Sequence, residues 1–172
     1  MAGIRYRAPA PPSSAIISRA GYLILRDELD TLYFKKRPEV VSALSDAAAE
    51  GDRSENAEYV YRKKQLGEID RRVRYLSKRL KAVKVVDALP FDRSKIYFGA
   101  LVTLEDDAGN IHLVRIVGPD ETGFPDTAPG CQRISIDAPL ALALAKKQLD
   151  DDINVMLPGG VASYFVTAIA YS

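Results

Sequence analysis

The chain has 172 residues, 47% of them hydrophobic, which is enough to build a real core in two small domains. One cysteine, Cys131, excludes an internal disulfide and one histidine, His112, excludes a histidine-rich metal site, which fits a reducing cytoplasm. No apolar run approaches the ~20 residues that span a bilayer and the N-terminus lacks the apolar core of a signal peptide, so a soluble, cytoplasmic monomer with no membrane partner is expected.

Residues 1–17 include Ala8-Pro9-Ala10-Pro11-Pro12-Ser13-Ser14, a composition that favours extended chain and gives no periodic apolar face. We read them as a flexible, proline-rich tail. Ser18 is a candidate N-cap, and residues 18–86 carry the spacing of a coiled-coil hairpin. Tyr22, Leu25, Leu29 and Leu32 recur at steps of three and four. The stripe then shifts by one position to Tyr33, Val40, Leu44 and Ala47 around Pro38, where a kink is expected. Gly51 suits the end of the first helix, and Asp52 or Ser54 suits the cap of the second. Tyr59, Arg62, Leu66, Ile69, Val73, Leu76, Leu80 and Val83 continue the alternation without a break, and among them only Arg62 is polar. At about 1.5 Å per residue, a helix from 54 to 84 would span roughly 45 Å.

Asp87-Ala88-Leu89-Pro90-Phe91-Asp92 opens a linker over 87–95. Beyond it, in 96–172, the period changes to short β-rich runs: Ala100 to Leu104, Ile111 to Val117, Arg133 to Ile136, Ile153 to Leu157 and Val161 to Tyr171. Asp106-Asp107-Ala108-Gly109-Asn110 and Pro158-Gly159-Gly160 read as hairpin connections, and Pro139 suits the first turn of a short helix through Lys147. The expected fold class is therefore a two-domain α+β protein: an antiparallel helical hairpin followed by an antiparallel sheet with one helix.

The net charge of +1 hides a segregation of charge. From Arg53 to Lys84 there are eleven Lys or Arg against four acids. Lys64, Arg71, Arg74, Lys78 and Lys81 fall on one outward stripe, with Tyr75 beside them. Such a stripe is either a solvated face or a surface for a polyanion or an acidic channel wall. Tyr75 either stacks on a base or covers alkyl stems. Asp52 and Glu55 likewise allow two readings. They fit an acidic cap with a Glu three residues on, and they also fit two hard oxygen ligands for a cation such as Mg²⁺. Two carboxylates alone hold Mg²⁺ weakly, so a metal there would need ligands from a partner. There is no Gly-rich phosphate loop, no G-x-S-x-G and no Cys-x-x-Cys, and His112 lies in a predicted strand, so free-standing nucleophilic catalysis is not expected.

Gly51-Asp52-Arg53-Ser54-Glu55-Asn56-Ala57-Glu58-Tyr59 and Glu68-Ile69-Asp70-Arg71-Arg72-Val73-Arg74-Tyr75-Leu76 closely resemble the GreB-type transcript cleavage factors of bacteria, in the GreA/GreB family. The likeness continues through Arg37-Pro38-Glu39-Val40, Phe98-Gly99-Ala100, Arg115-Ile116-Val117-Gly118, Asp120-Glu121 and Ile134-Ser135-Ile136-Asp137-Ala138-Pro139, and covers nearly everything from Ile17 to Tyr171. The proline-rich tail, the loop from Pro119 to Gln132, and Ser163-Tyr164-Phe165 in place of a tryptophan depart from the pattern.

The resemblance implies a coiled coil that enters the secondary channel of RNA polymerase and an FKBP-like domain that docks at the channel rim. It implies that Asp52 and Glu55 are the tip acids that share a Mg²⁺ with the polymerase to promote cleavage of the RNA 3′ end in backtracked complexes. The chain is then an accessory factor rather than an enzyme. Arg53, Lys64, Arg71, Arg74, Tyr75 and Lys78 are the residues expected to meet RNA or polymerase. Two rivals stand beside this reading. A channel-binding regulator that does not promote cleavage is disfavoured by the intact acids. A prolyl isomerase or chaperone needs an aromatic-lined pocket in 96–172, a half without tryptophan.

Overall fold

The computed structural model describes residues 12–49, 56–157 and 159–171, and these divide into two compact units, one within 15–87 and the other within 88–171, the second joined by residues 12–14.

In the first unit, strand β1 (Ile16–Ser18) leads into helix α1 (Arg19–Thr31), and Ser18 caps it by accepting the Gly21 N–H at 3.0 Å. A π turn (Leu32–Lys36) joins α1 to α2 (Arg37–Ala49). Helix α3 (Ala57–Ala82) runs back for 26 residues, and β2 (Lys84–Val86) follows. The cross-helix pairs Glu28 with Arg72, Arg37 with Asp70 and Ala47 with Asn56 fix the antiparallel sense of the hairpin. Its seam contains the buried Leu25, Val40, Ala47, Ile69 and Leu76, with Leu66, Val73 and Leu80 half-buried between them.

Three details differ from the sequence expectation. The shift in the first helix does not run through Tyr33, which is 51% exposed. The seam steps from Leu32 to Arg37 instead, because the Arg37 N–H bonds the Leu32 carbonyl and so inserts one extra residue into the turn. Tyr33 and Phe34 are thereby turned outward, where their rings meet edge to face at 5.0 Å. The extra residue lies just before Pro38, which has no N–H to give to the ladder and whose ring crowds the carbonyl four residues back. The second difference is at the base: residues 16 and 17 are not tail. β1 and β2 pair in parallel, Ile17 opposite Val85, and Ile17 is fully buried. The third follows from it, since the helix ends at Ala82 and residues 84–86 are strand rather than a continuation of the coiled coil.

In the second unit, strands β3 (Leu101–Asp106), β4 (Ile111–Val117), β5 (Gln132–Ser135), β6 (Asp152–Leu157) and β7 (Gly160–Ala170) form one sheet in the order β5-β4-β3-β7-β6. Helix α4 (Pro139–Leu144) packs on it through the buried Ala141 and Leu144. Val102, Leu104, Val114, Ile116, Ile153 and Val166 complete the core. The sheet is mixed, not antiparallel throughout: β4 and β5 are parallel, Val114 opposite Gln132 through Val117 opposite Ser135. Parallel neighbours need a crossover of about a dozen residues or more, which the long segment from Gly118 to Cys131 supplies. Among the described residues no helix is long and apolar enough to cross a membrane.

Candidate nucleic-acid interface on the helical hairpin

The cap of α3 is Asn56, not Asp52 or Ser54. Its backbone is extended, and its Oδ1 accepts the Tyr59 N–H at 3.0 Å, the contact that satisfies an orphan donor in a first turn. The Asn56 amide also donates across the hairpin to the Ala47 carbonyl at 2.8 Å, one of the orphan acceptors in the last turn of α2. One side chain therefore serves the start of one helix and the end of the other. Asp52, Arg53 and Glu55 lie outside the described residues, in the chain segment just before Asn56. Behind the cap, Glu58 sits in the first turn, where its charge suits the helix dipole, and pairs with Arg62 at 2.6 Å. Arg62, the polar member of the seam, is half-buried and also donates to Gln65 at 3.2 Å.

The basic stripe is on the surface as the spacing predicts. Lys64, Arg71, Arg74, Lys78 and Lys81 are all exposed on α3 while Ile69 and Leu76 are buried beneath it. Tyr75 is 47% exposed, and its ring lies 5.3 Å from the guanidinium carbon of Arg72. Arg72 in turn makes a two-pronged contact with Glu28 at 2.7 and 2.8 Å. Tyr75 thus lies against a cross-helix ion pair at the half-exposed surface of α3. Arg37, Asp70, Glu28 and Asn56 were not singled out from the sequence. The five-residue step from Leu32 to Arg37 was the available signal for the first of them.

The second unit is held by a buried charge cluster. The Asp126 side chain is 2% exposed and accepts from Arg115 Nε at 2.8 Å and from Arg133 Nε at 3.0 Å. Burial pushes the Asp126 carboxyl up, but the Ala128 N–H and the two guanidiniums outweigh it and hold its pKa down at about 2. Asp126 thereby ties the crossover to both strands of the parallel pair. His112 is an exposed partner of Asp106 at 2.9 Å and meets the Tyr164 ring edge-on, so it is a surface packing residue. That His112 contact leads the hydrogen bonds that keep the Asp106 carboxyl below its usual range. Burial raises the Cys131 thiol, the opposite of an activated nucleophile. Among the described residues no group of three His, Cys, Asp or Glu side chains is placed to hold a metal ion.

Residues 15–85 match the family model described as transcription elongation factor, N-terminal, and residues 92–171 match the model described as transcription elongation factor, GreA/GreB, C-term. The chain belongs to the GreA/GreB family of transcription elongation factors. It is 56% identical over 169 residues to the transcription elongation factor GreB of Xanthomonas axonopodis pv. citri, covering 98% of each chain. Against GreB of Pseudomonas aeruginosa it is 50% identical over 97% of this chain and 96% of the relative. The solved structure of Gfh1, a GreA factor homologue of Thermus thermophilus, superposes over 91% of this chain and 99% of its own with a TM-score of 0.42 at 23% identity. Both halves of a GreA/GreB factor are thus present in one chain, the helical hairpin and the mixed-sheet domain. As a transcription elongation factor of this family it is an accessory to RNA polymerase.

Proposed function

We propose that this elongation factor stimulates endonucleolytic cleavage of the RNA 3′ end in backtracked, arrested polymerase complexes, with its helical hairpin in the secondary channel. The carrying observation is that Asn56 supplies the cap of α3, so capping that helix does not require Asp52 or Glu55. The competing reading of the two acids loses its main support, and they remain as a pair of hard oxygen donors of the kind that suits Mg²⁺.

Two carboxylates fit a shared ion, completed by acids of the polymerase, better than a private one. When bound there, Mg²⁺ neutralises charge on the phosphodiester and lowers the pKa of an attacking water. Asp52 and Glu55 hold and orient, and Arg53 together with the exposed cations Lys64, Arg71, Arg74 and Lys78 attracts the extruded RNA through its phosphates. Tyr75, half-exposed beside them, is the aromatic ring on which a base would stack. In the second unit the apolar cleft that includes Tyr97 and Phe98 is only about 120 Å³, and the larger one of about 450 Å³ beside Tyr164 and Phe165 is lined mainly by Glu105, Asp106, Asp107, Asp152 and Asn154, so neither is the roomy aromatic pocket the isomerase reading needs.

The test is to add Asp52→Asn or Glu55→Gln to a stalled, 3′-labelled elongation complex. Each amide still supports capping geometry but is a poor Mg²⁺ ligand. Both variants should bind polymerase normally and release little short RNA, with partial recovery at raised Mg²⁺. Wild-type cleavage by either variant across Mg²⁺ concentrations withdraws that residue from the metal-donating role. A factor that binds but never promotes cleavage, even as wild type, is the non-cleaving regulator instead.

A further inference from the structure

We infer that the cleft beside the π turn of the first helix is a base-stacking subsite for single-stranded RNA, with Tyr33 and Phe34 as its aromatic wall. This rests on the reading above in one respect, that extruded RNA lies along the hairpin. The cleft holds about 300 Å³ and is lined by Leu29, Asp30, Tyr33, Phe34, Val73 and Ser77. The extra residue of the π turn, a feature that in helices often marks a functional site, turns both rings outward. Tyr33 is 51% and Phe34 69% exposed, in edge-to-face contact at 5.0 Å. Two large rings left in water beside an open cleft make a surface suited to a flat aromatic ligand.

Charge decides which aromatic ligand fits. Lys35 and Lys36 close the π turn and are exposed. On α3, Arg74 lies three residues before Ser77 and Lys81 four after it, the spacings that make neighbours on a helix surface, and both cations are exposed. At about 100° per residue, Val73 and Ser77 fall on one flank of the basic stripe and Tyr75 on the other. Cations for the phosphates with rings at their side are the parts of a surface for single-stranded nucleic acid. Asp30, the acid in the lining, repels phosphate but accepts an exocyclic amino group, so a base faces into the cleft while its phosphates stay with the cations. Helix rise sets how much RNA reaches this far. Val73 and Ser77 follow Ala57 by 16 and 20 residues, about 24–30 Å along α3 at about 1.5 Å per residue. At about 3.4 Å per stacked nucleotide, that span takes about seven to nine nucleotides.

The test titrates full-length factor, fluorescently labelled at its N-terminus, against stalled polymerase complexes backtracked by about two or about ten nucleotides. It reads the dissociation constant with Mg²⁺ withheld, so that the RNA stays whole. Tyr33→Ala combined with Phe34→Ala should weaken binding to the longer-backtracked complex at least about fivefold and to the shorter one less than about twofold. Helical melting should change little, because both rings are exposed. Tyr33→Phe combined with Phe34→Tyr keeps two rings and should bind both complexes as wild type does. Abasic nucleotides at the seventh to ninth extruded positions should weaken wild-type binding by the same factor and leave the alanine variant unchanged. Equal weakening on both complexes would show that the rings meet polymerase protein and overturns the subsite. So does unchanged binding on both, or wild-type binding that ignores the abasic positions. Release of labelled RNA in Mg²⁺ is scored separately: if wild type releases none while the length-dependent loss holds, the cleavage reading fails and the subsite stands.

Discussion

Arg37 Nε lies 2.9 Å from Asp70 Oδ1, which joins the residue that closes the π turn of the first helix to the middle of α3. Arg37 occupies the seam position that the extra residue creates, and its charge is answered from the facing helix. The side chains are 41% and 34% exposed, so water screens much of the attraction. A double-mutant cycle with Arg37→Ala and Asp70→Ala should give a coupling energy of about 0.5–1 kcal/mol that shrinks as salt rises. Coupling under about 0.2 kcal/mol would mean that the apolar seam alone sets the register.

The exposed stripe on α3 predicts a salt-sensitive contribution to activity. Arg71→Glu combined with Arg74→Glu should lower apparent affinity for a backtracked complex by at least about tenfold in moderate salt and flatten its dependence on salt concentration. Helical melting should change little, since neither side chain enters the seam. Unaltered cleavage and an unaltered salt slope would show that the stripe is only a solvated face.

Asp126 predicts a pH dependence of stability in the second unit. Its folded pKa of about 2 lies below the ordinary 3.8, so the carboxylate stabilises the fold in full above about pH 5 and loses that effect as pH falls towards 2. The shift corresponds to about 2 kcal/mol. Asp126→Asn should cost about 3 kcal/mol at pH 7, because Arg115 and Arg133 lose their shared carboxylate. Urea denaturation of both proteins between pH 2.5 and 7 checks the sign: the gap between wild type and variant should narrow as the solution is acidified. A gap that stays constant would show that the carboxylate is not the titrating group.

Ile17 tests the parallel β1–β2 pair at the base of the hairpin. Ile17→Ala should lower stability by about 3 kcal/mol, read from the helical melt, because the side chain is fully buried. Ile24→Ala on the adjoining helix, at 47% exposure, should cost under about 0.5 kcal/mol. Equal effects would show that residues 16–18 contribute no core.

Much of this protein was legible in its sequence. The unbroken three-and-four spacing from Tyr59 to Val83 marked the α3 seam, with burial deepest at Ile69 and Leu76. The same spacing put Arg71, Arg74 and Lys78 outside. The changed period after residue 96, with its turn residues, marked all five strands of the second unit within a few residues of their ends. Asp52 and Glu55 stood out as an acidic pair with a choice of roles. These are local properties, since side-chain period and turn chemistry depend on near neighbours in the chain. The tertiary structure decided the rest. A π turn is one hydrogen bond displaced by one residue, and a seam read by eye places that shift as easily at Tyr33 as at Arg37. Ile17 looked like tail because three residues carry no period, and only pairing with Lys84–Val86 makes them a strand. Parallel pairing of β4 with β5 depends on where a long crossover returns, and the cap is Asn56, whose side chain also reaches the Ala47 carbonyl across the hairpin. Apart from the π turn, each of these rests on a partner in another element, and no local pattern encodes where such a partner will be.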